Sequence, residues 1–196
     1  MSEKNIVIGS PKFHLQNVLS LTLITGLMTF SLLFVYYFTY QEPNPLLDIQ
    51  EMLGKKAQEY NIIQEEMDLD GEPNIYWSVV STNEQEIMRV FRVSSGGFGG
   101  PVVALVGTDG QQVLAIKVLD ASSETAGLGQ KVTEQGFQRQ FLGLKIDQLP
   151  IDRTDWGSKN LDMISGATFS SSALVKDINE AFVMYDLSKK AEGEVS

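Results

Sequence analysis

One uncharged apolar stretch near the amino terminus constrains this chain more than any other feature of its sequence. No Asp, Glu, Lys or Arg occurs between Lys12 and Glu42, and residues 18–40 read VLSLTLITGLMTFSLLFVYYFTY. As a helix, this run would extend roughly 34 Å, which is enough to cross the hydrocarbon core of a bilayer. It is too long for the apolar core of a cleavable secretory signal, and no small-x-small cleavage site follows it. The sequence therefore predicts a cytoplasmic tail over residues 1–12 and an uncleaved transmembrane anchor over residues 13–40.

The charges on either side of the anchor predict its orientation. Lys4, Lys12 and the amino terminus lie on one side, and Lys55 and Lys56 lie on the other. This slight excess of positive charge favours an amino terminus in the cytoplasm. We therefore expect a single-pass protein of the inner (cytoplasmic) membrane with an extracytoplasmic carboxyl-terminal domain.

The composition excludes several kinds of chemistry. The chain has no cysteine, so disulfides, thiolate metal sites, iron–sulfur ligation and thioether haem attachment are ruled out. Its one histidine, His14, lies beside the apolar stretch, which argues against His-centred catalysis elsewhere. Two bases and two acids precede Asn44, so the net charge of -10 belongs to the remainder and has the wrong sign for binding nucleic acid. Redox chemistry would need an organic cofactor.

Residues 41–188 have the pattern of one α+β domain with an antiparallel sheet and flanking helices. Apolar residues from Leu46 to Tyr60 recur at helical spacing and predict an amphipathic helix of about four turns. A second helical stripe runs from Leu174 to Tyr185, and residues 189–196 are expected to form a flexible tail. Four segments have strand character: 75–80, 87–94, 102–107 and 113–119. Between the last two, Thr108-Asp109-Gly110 predicts a hairpin turn.

Three glycine-containing segments are candidates for a binding site, namely 96–101 (GGFGGP), 124–129 (ETAGLG) and 162–168 (DMISGAT). Each one alone is more typical of turns than of a ligand loop. None matches the G-x-G-x-x-G fingerprint of dinucleotide-binding folds or the phosphate loop of nucleotide triphosphatases. Those two cofactor classes are therefore excluded.

The third segment lies where the second helix is expected to start, with the amphipathic stripe beginning near Ala173. Unpaired backbone N–H groups and the helix dipole make such a position suitable for a phosphate. Small residues would allow that group to approach the main chain. Alternatively, one hydroxyl of the segment simply caps the helix. The residues alone indicate an anion site and no more.

Taken together, the three segments resemble a known family. Asp162-x-x-Ser165-Gly166-Ala167-Thr168 is similar to the attachment motif of proteins that carry flavin mononucleotide (FMN) covalently through a threonine phosphoester. In order and spacing, segments 99–107 and 124–129 resemble the G subunit of the Rnf electron-transport complex, whose members also begin with one membrane anchor. Ala126 stands where members of that family usually have proline.

The resemblance implies an FMN-binding domain and assigns roles to individual residues. FMN would be esterified to Thr168 by a separate flavin transferase that recognises the motif, including Asp162. The other implied cofactor-binding residues are Ser165, Gly166 and Ala167 around the attachment point, and Glu124, Thr125, Leu128 and Gly129 near the isoalloxazine. No catalytic residue and no metal site is expected. The chain would relay electrons among the other subunits of a membrane complex that couples ferredoxin and NAD redox to ion translocation, without a complete active site of its own.

Two alternatives remain open from the sequence. The related C subunit of the sodium-pumping NADH:quinone reductase shares the flavin motif and the anchor. A membrane-tethered binding or sensory module without a cofactor would use the glycine segments only as turns.

Two further features have competing interpretations. Trp77 and Trp156 could stack on a flavin, although core or rim positions are more typical of tryptophan. Glu66-x-Asp68-x-Asp70-Gly71 imitates the opening of a calcium loop, but Trp77 stands where that loop needs its bidentate glutamate. An acidic surface turn is the better interpretation of the second feature.

Overall fold

The computed structural model of the protein describes residues 11–39, 44–69, 71–151 and 156–194. The chain divides into two compact units, Met1–Pro43 and Asn44–Ser196.

The described part of the first unit is the helix α1, Pro11–Thr39. By length and composition, its segment Phe13–Thr39 could cross a membrane. The hydroxyls of Thr22, Thr25 and Thr29 each donate to the carbonyl four residues earlier, at 2.7 to 2.9 Å. The helix itself therefore satisfies these polar groups, as a lipid environment requires.

The second unit contains a five-stranded sheet and helices. Its helices and strands are α2 (Pro45–Leu53), β1 (Tyr60–Leu69), β2 (Glu72–Ser81), β3 (Glu86–Gly96), β4 (Pro101–Thr108), β5 (Val113–Asp120), α3 (Gln135–Gln138) and α4 (Thr168–Glu194). Short 3-10 helices span Gly54–Glu59, Gly129–Thr133, Arg139–Phe141 and Ile146–Gln148. The sheet is antiparallel with the order β1-β2-β3-β4-β5, so each strand pairs with its neighbour in sequence. The α+β class and the four predicted strands are confirmed.

The hairpin between β4 and β5 turns where the sequence predicts it. Asp109 Oδ1 accepts hydrogen bonds from the amides of Gln111 (2.8 Å) and Gln112 (2.9 Å). Gly110 has φ of 81°, a conformation that glycine adopts without a steric penalty. The turn thus has its own hydrogen bonds, and Gly110 also allows Tyr185 of α4 to pack closely, since a Cβ at Gly110 would lie 2.2 Å from Tyr185 Cε1.

Strand β1 is an element that the sequence pattern missed, and the first predicted helix is wrong in its length. That helix ends at Leu53 because Gly54 has φ of 59°, and Tyr60 opens β1 instead of closing a fourth turn. β1 is an edge strand in which Met67 is buried while the other apolar side chains are partly or fully exposed, so its alternation is weak. The acidic segment 66–71, for which the sequence predicts a surface turn, begins inside β1. Asp68 Oδ1 accepts from the Gly71 amide at 2.7 Å, where β1 leads into β2, and Asp70 lies outside the described residues.

Helices cover both faces of the sheet. On one face α4 packs against β3 and β4, and its stripe from Leu174 to Phe182 is buried as predicted. On the other face α2 buries Ile49 against a second cluster that includes Val79, Met88 and Val90. The sheet thus forms the middle layer of the domain.

A buried arginine holds the far end of α4. Arg89 on β3 is fully buried and donates to Ser188 Oγ at 2.7 Å and to Glu86 Oε2 at 3.0 Å, and it pairs with Glu192. Lys189 pairs with Glu86 at 3.0 Å. These ties explain why the helix continues through Glu194, whereas the sequence suggested a flexible tail from residue 189. Val195 and Ser196 lie outside the described residues.

One buried acid lies in the middle of α4. Asp177 is inaccessible to solvent, and its two carboxyl oxygens have no hydrogen bond of standard geometry within the described ranges. Burial raises the pKa of Asp177 to about 7. The neighbouring Ser95 hydroxyl opposes that shift, and the Glu180 carboxylate adds to it. The folded protein therefore favours the neutral acid.

We expect Asp177→Asn to remove a pH dependence of stability. The ordinary pKa of this carboxyl is 3.8, so the wild type loses stability as the pH rises from about 4 to about 7 and loses none below that window. The loss is at most about 1.4 kcal/mol per pH unit. The variant should therefore be the more stable protein at pH 8, with a difference that shrinks towards pH 5.

Urea unfolding of the full chain in detergent, followed by tryptophan fluorescence, measures this difference. Glu134→Gln is the control, because Glu134 is exposed and is not among the groups that shift the pKa of Asp177, so its replacement should leave the profile nearly unchanged. Parallel pH profiles for wild type and Asp177→Asn would show that Asp177 is ionised in the folded protein.

Candidate functional site

The segment 162–168 forms a turn that leads directly into α4. Ala167 N–H donates to the Ile164 carbonyl at 2.9 Å, and Ser171 N–H donates to the Ala167 carbonyl at 3.0 Å. Gly166 has φ of 78°, and a Cβ there would lie 3.3 Å from Leu128 Cδ1. The helix begins at Thr168, five residues earlier than the predicted start near Ala173. Thr168 therefore occupies the first helical position. The first backbone amides of a helix have no carbonyl partner within that helix, so they are free to bind another group.

The hydroxyls of this segment and of the first helical turn differ in their access to solvent. Ser165 is exposed and Thr168 is half-buried. Ser170 is 1% exposed and Ser171 is fully buried, and Ser171 Oγ accepts from the Ile164 amide at 3.2 Å. The Ser172 hydroxyl oxygen is also buried. Within the first turn of α4, Thr168 is thus the hydroxyl that a reagent in solution can approach.

The three glycine segments meet at one shallow depression of about 180 Å³ beside Thr168. Its lining residues are Phe98, Thr125, Leu128, Gly129, Gly166, Ala167, Thr168, Phe169 and Ser170. The structure therefore brings Thr125, Leu128 and Gly129 together with the segment that contains Thr168.

Two aromatic residues of this depression escaped the sequence interpretation. The rings of Phe98 and Phe169 lie 6.3 Å apart and are 73% and 59% exposed. Large apolar side chains at such exposure, next to a candidate site, are suited to contact with a ligand or a partner. The signal in the sequence was the position of Phe98 between two glycine pairs and of Phe169 directly after Thr168.

Glu124 is adjacent to the depression but does not line it. The residue is 3% exposed. Its Oε1 accepts from the amides of Gly99 (2.9 Å) and Gly100 (3.3 Å), and its Oε2 accepts from Ser170 Oγ (2.5 Å). Although burial opposes ionisation, these hydrogen bonds hold the pKa of Glu124 below its usual value. The carboxylate is therefore charged and engaged by the protein itself.

Close approach of backbone to Glu124 explains several of the glycines. A Cβ on Gly97 would lie 2.3 Å from Glu124 Oε1, and one on Gly129 would lie 2.7 Å from Glu124 Oε2. A Cβ on Gly99 would lie 2.0 Å from the carbonyl oxygen of Ser123. No side chain fits at these distances, so the glycines are required by packing around residues 123 and 124.

The segment that contains Ala126 is a tight turn. Leu128 N–H donates to the Thr125 carbonyl at 3.1 Å, and Gly127 has φ of 70°. A type II turn needs this glycine conformation at its third position and favours proline at its second, which is Ala126 here. Alanine keeps the hydrogen bond of the turn and removes no functional group.

Asp162 lies upstream of the turn with its side chain exposed. Its amide donates to Gln140 Oε1 at 2.7 Å, and its carbonyl accepts from Gln140 Nε2 at 3.1 Å. The Gln140 side chain thus fixes the backbone of this residue and leaves the carboxylate accessible.

Both tryptophans lie in the core. Trp156 is packed against Phe137 and Phe141, with ring centroids at 6.5 and 6.1 Å, and Trp77 belongs to the cluster under α2. The interpretation of both residues as core rather than flavin-stacking residues is confirmed. Asp152 and Asp155, two acids near Trp156 in the sequence, lie outside the described residues.

Comparison with known proteins agrees with this geometry. The profile of the FMN-binding domain family matches residues 97–183, which span the glycine loop before β4, the turn at 125–128, the segment 162–168 and most of α4. Residues 97–183 thus match an FMN-binding domain. All three glycine segments that meet at the depression thus fall almost entirely within this match.

Several relatives of the chain are G subunits of proton- or ion-translocating oxidoreductase complexes. One is the G subunit of the proton-translocating ferredoxin:NAD(+) oxidoreductase complex of Clostridium ljungdahlii, 29% identical over 140 residues that cover 68% of each chain. The G subunit of the ion-translocating oxidoreductase complex of Methanosarcina acetivorans is 29% identical over 136 residues, 68% of this chain and 70% of the relative. That of Stutzerimonas stutzeri is 34% identical over 98 residues, 46% of this chain and 42% of the relative. The protein is therefore a homologue of these G subunits, as the sequence motifs indicate.

Proposed function

We propose that this protein is the membrane-anchored flavoprotein subunit of an Rnf-type ion-translocating oxidoreductase, with FMN esterified to Thr168. The observation that carries the proposal is the position of Thr168, at the first turn of α4 and on the wall of the depression in an FMN-binding domain. Bound FMN would supply one- and two-electron transfer, while the protein supplies attachment and orientation.

The residues around Thr168 fit a phosphoester. The amides of the first helical turn and the positive end of the helix dipole favour a phosphate at this place. Gly166 and Ala167 have little or no side chain, so the group can approach the main chain. Thr168 is accessible, whereas Ser170 and Ser171 are buried.

The size of the depression also supports a covalent link. Its volume of about 180 Å³ is below the roughly 300 to 1,000 Å³ of typical small-molecule clefts. A site this shallow encloses only part of a flavin, so a covalent bond would provide the retention that burial does not. The exposed remainder of the flavin would be open to a redox partner, which agrees with a relay function inside a complex.

Phe98, Phe169 and Leu128 are the residues that can contact the isoalloxazine. They line the depression within reach of a group attached at Thr168, and the two rings offer apolar faces to a planar ligand. Thr125 and Gly129 line the same depression and can contribute polar contacts.

The helix α1 would serve as an anchor and not as an ion pathway. Its segment Phe13–Thr39 has no Asp, Glu, Lys or Arg, and ion pathways through membranes need polar groups at depth. Ion movement would therefore belong to other subunits. The flavin transferase would meet the protein only during maturation, with Asp162 exposed for recognition.

Thr168→Ala should abolish covalent flavin, because the variant lacks the attacking hydroxyl. Thr168→Ser is the matched control and should keep attachment, since it retains a hydroxyl at the same helical position. In-gel flavin fluorescence under denaturing conditions, after expression with a flavin transferase, distinguishes the two. Fluorescence that persists in the alanine variant would assign the ester to another residue.

Phe98→Ala should loosen the attached flavin without preventing attachment. Loss of one aromatic contact, worth about 1 kcal/mol, should lower the equilibrium constant for docking of the ring about fivefold. Steady-state fluorescence anisotropy of the flavin in the native protein measures this mobility. Leu47→Ala, a change at a residue that is also exposed but lies on α2, should leave the anisotropy unchanged. Equal anisotropy in both variants would place the ring elsewhere.

The flavin domain should lie outside the cytoplasm. A reporter that is active only in the cytoplasm, fused after Ser196, should therefore give no signal, and the same reporter fused at the amino terminus should be active. The orientation follows from the charges that flank α1. The opposite result would reverse the topology and leave the flavin assignment intact.

A further inference from the structure

We propose that Glu124 is a positioning residue that sets the Thr168 hydroxyl in place for flavin transfer and withholds the Ser170 hydroxyl from that reaction. This inference rests on the proposed function, namely covalent attachment at Thr168. It assigns to Glu124 an action through other residues, whereas the resemblance implies a contact with the isoalloxazine.

Glu124 joins three segments that are distant in sequence. Its own segment leads from β5 into the turn at 125–128. Its Oε1 accepts from Gly99 and Gly100 of the loop before β4, and its Oε2 accepts from Ser170 on α4. These partners are 25, 24 and 46 residues away. One carboxylate therefore ties the walls of the depression to the start of the helix that carries Thr168.

The protein is built closely around this carboxylate. Its two oxygens lie so close to Gly97 and Gly129 that neither position has room for a Cβ. Hydrogen bonds from backbone amides and a hydroxyl favour its charged form, as does the nearby amino-terminal end of α4. A buried, charged and fully engaged carboxylate forms stronger hydrogen bonds than a neutral group would.

This bonding distinguishes the hydroxyl of Thr168 from that of Ser170 in the first turn of α4. Ser170 Oγ donates its proton to Glu124 and is 1% exposed, so it is held inside the domain. Both residues border the depression, but Thr168, two residues earlier and therefore on a different side of the helix, is only half-buried. By fixing Ser170 inward, Glu124 fixes the rotation of the first turn and thereby directs Thr168 outward.

The reaction that depends on this placement is a phosphoryl transfer. Thr168 Oγ forms a bond to the FMN phosphorus of flavin adenine dinucleotide, and the pyrophosphate P–O bond to the adenylate breaks. The adenylate leaves as AMP, and the hydroxyl proton is released to solvent. No oxidant or reductant is required.

The test is the kinetics of flavin transfer to the full apo-chain in detergent, with a flavin transferase and flavin adenine dinucleotide, followed by intact mass. Glu124→Ala and Ser170→Ala should each lower kcat, by roughly tenfold or more for Glu124→Ala because small misplacements of a reacting group are costly. KM for the apo-chain should stay nearly constant, since the exposed recognition residue Asp162 is untouched. Glu124→Gln should recover most of the rate, because its amide can still accept from the glycine amides and hydrogen-bond to Ser170.

Ser188→Ala is the matched control. Ser188 is likewise a buried serine of α4 with a bonded hydroxyl, but it contacts Arg89 at the other end of the helix. It should lose stability comparable to Ser170→Ala in thermal unfolding while keeping the wild-type kcat.

Two results would overturn the inference. One is a wild-type kcat and KM in folded Glu124→Ala or Ser170→Ala. The other is a loss of kcat in Ser188→Ala equal to that in Ser170→Ala, which would make the role of the Glu124 contact one of general stability. A wild-type chain that gains no flavin mass would instead refute covalent attachment itself, and this inference with it.

Discussion

The hydrogen bonds accepted by the Glu124 carboxylate are the interaction on which the arrangement of the site depends. They connect the loop before β4, the turn after β5 and the first turn of α4. A buried charge is costly unless donors surround it, and here two backbone amides and a hydroxyl do so. The glycines at 97, 99 and 129 follow from the same contact, because only residues without a Cβ allow the backbone to approach so closely. Two of the glycine segments that resemble ligand loops, 96–101 and 124–129, therefore have glycines mainly because these glycines pack around Glu124 and its neighbour Ser123.

Helix α4 connects the site to the rest of the domain, because buried charged residues bind it at both ends. Its first turn is held by Glu124 through Ser170, and its last turns are held by the buried Arg89 through Ser188 and Glu192. Between the two ends, an apolar stripe packs on β3 and β4. Asp177 interrupts that stripe with a buried acid whose raised pKa shows that the domain holds it with little compensation. The apolar contacts on both sides are sufficient to keep the helix continuous across it.

The shallow depression is consistent with a protein that relays electrons. A cleft that buried the whole flavin would bind it tightly without a covalent bond, but would also separate it from redox partners. In the proposed arrangement, the half-buried Thr168 at the helix start would hold the flavin, and the two exposed phenylalanines beside it would leave one side of the ring open. The homologous G subunits are named as parts of oxidoreductase complexes, and in the proposed function the open side of the flavin would face another subunit of such a complex.

The sequence by itself determined the features whose physical causes are local. The apolar run predicted α1, and residue periodicity predicted four strands and the buried stripe of α4. Asp109 and Gly110 predicted the turn between β4 and β5. The motif at 162–168, with its resemblance, predicts Thr168 as the attachment residue, and this stays a prediction. Where the local signal was weak or misleading, as in the edge strand β1 or at Gly54, the prediction failed.

Only the tertiary structure decided that Phe98 and Phe169 lie side by side, that Trp156 is a core residue, and that Glu124 is bound by glycine amides and Ser170. The contacts of Phe98 and Glu124 join residues 24 or more positions apart, and no periodicity or turn preference records which distant loops will meet once the sheet and α4 have packed.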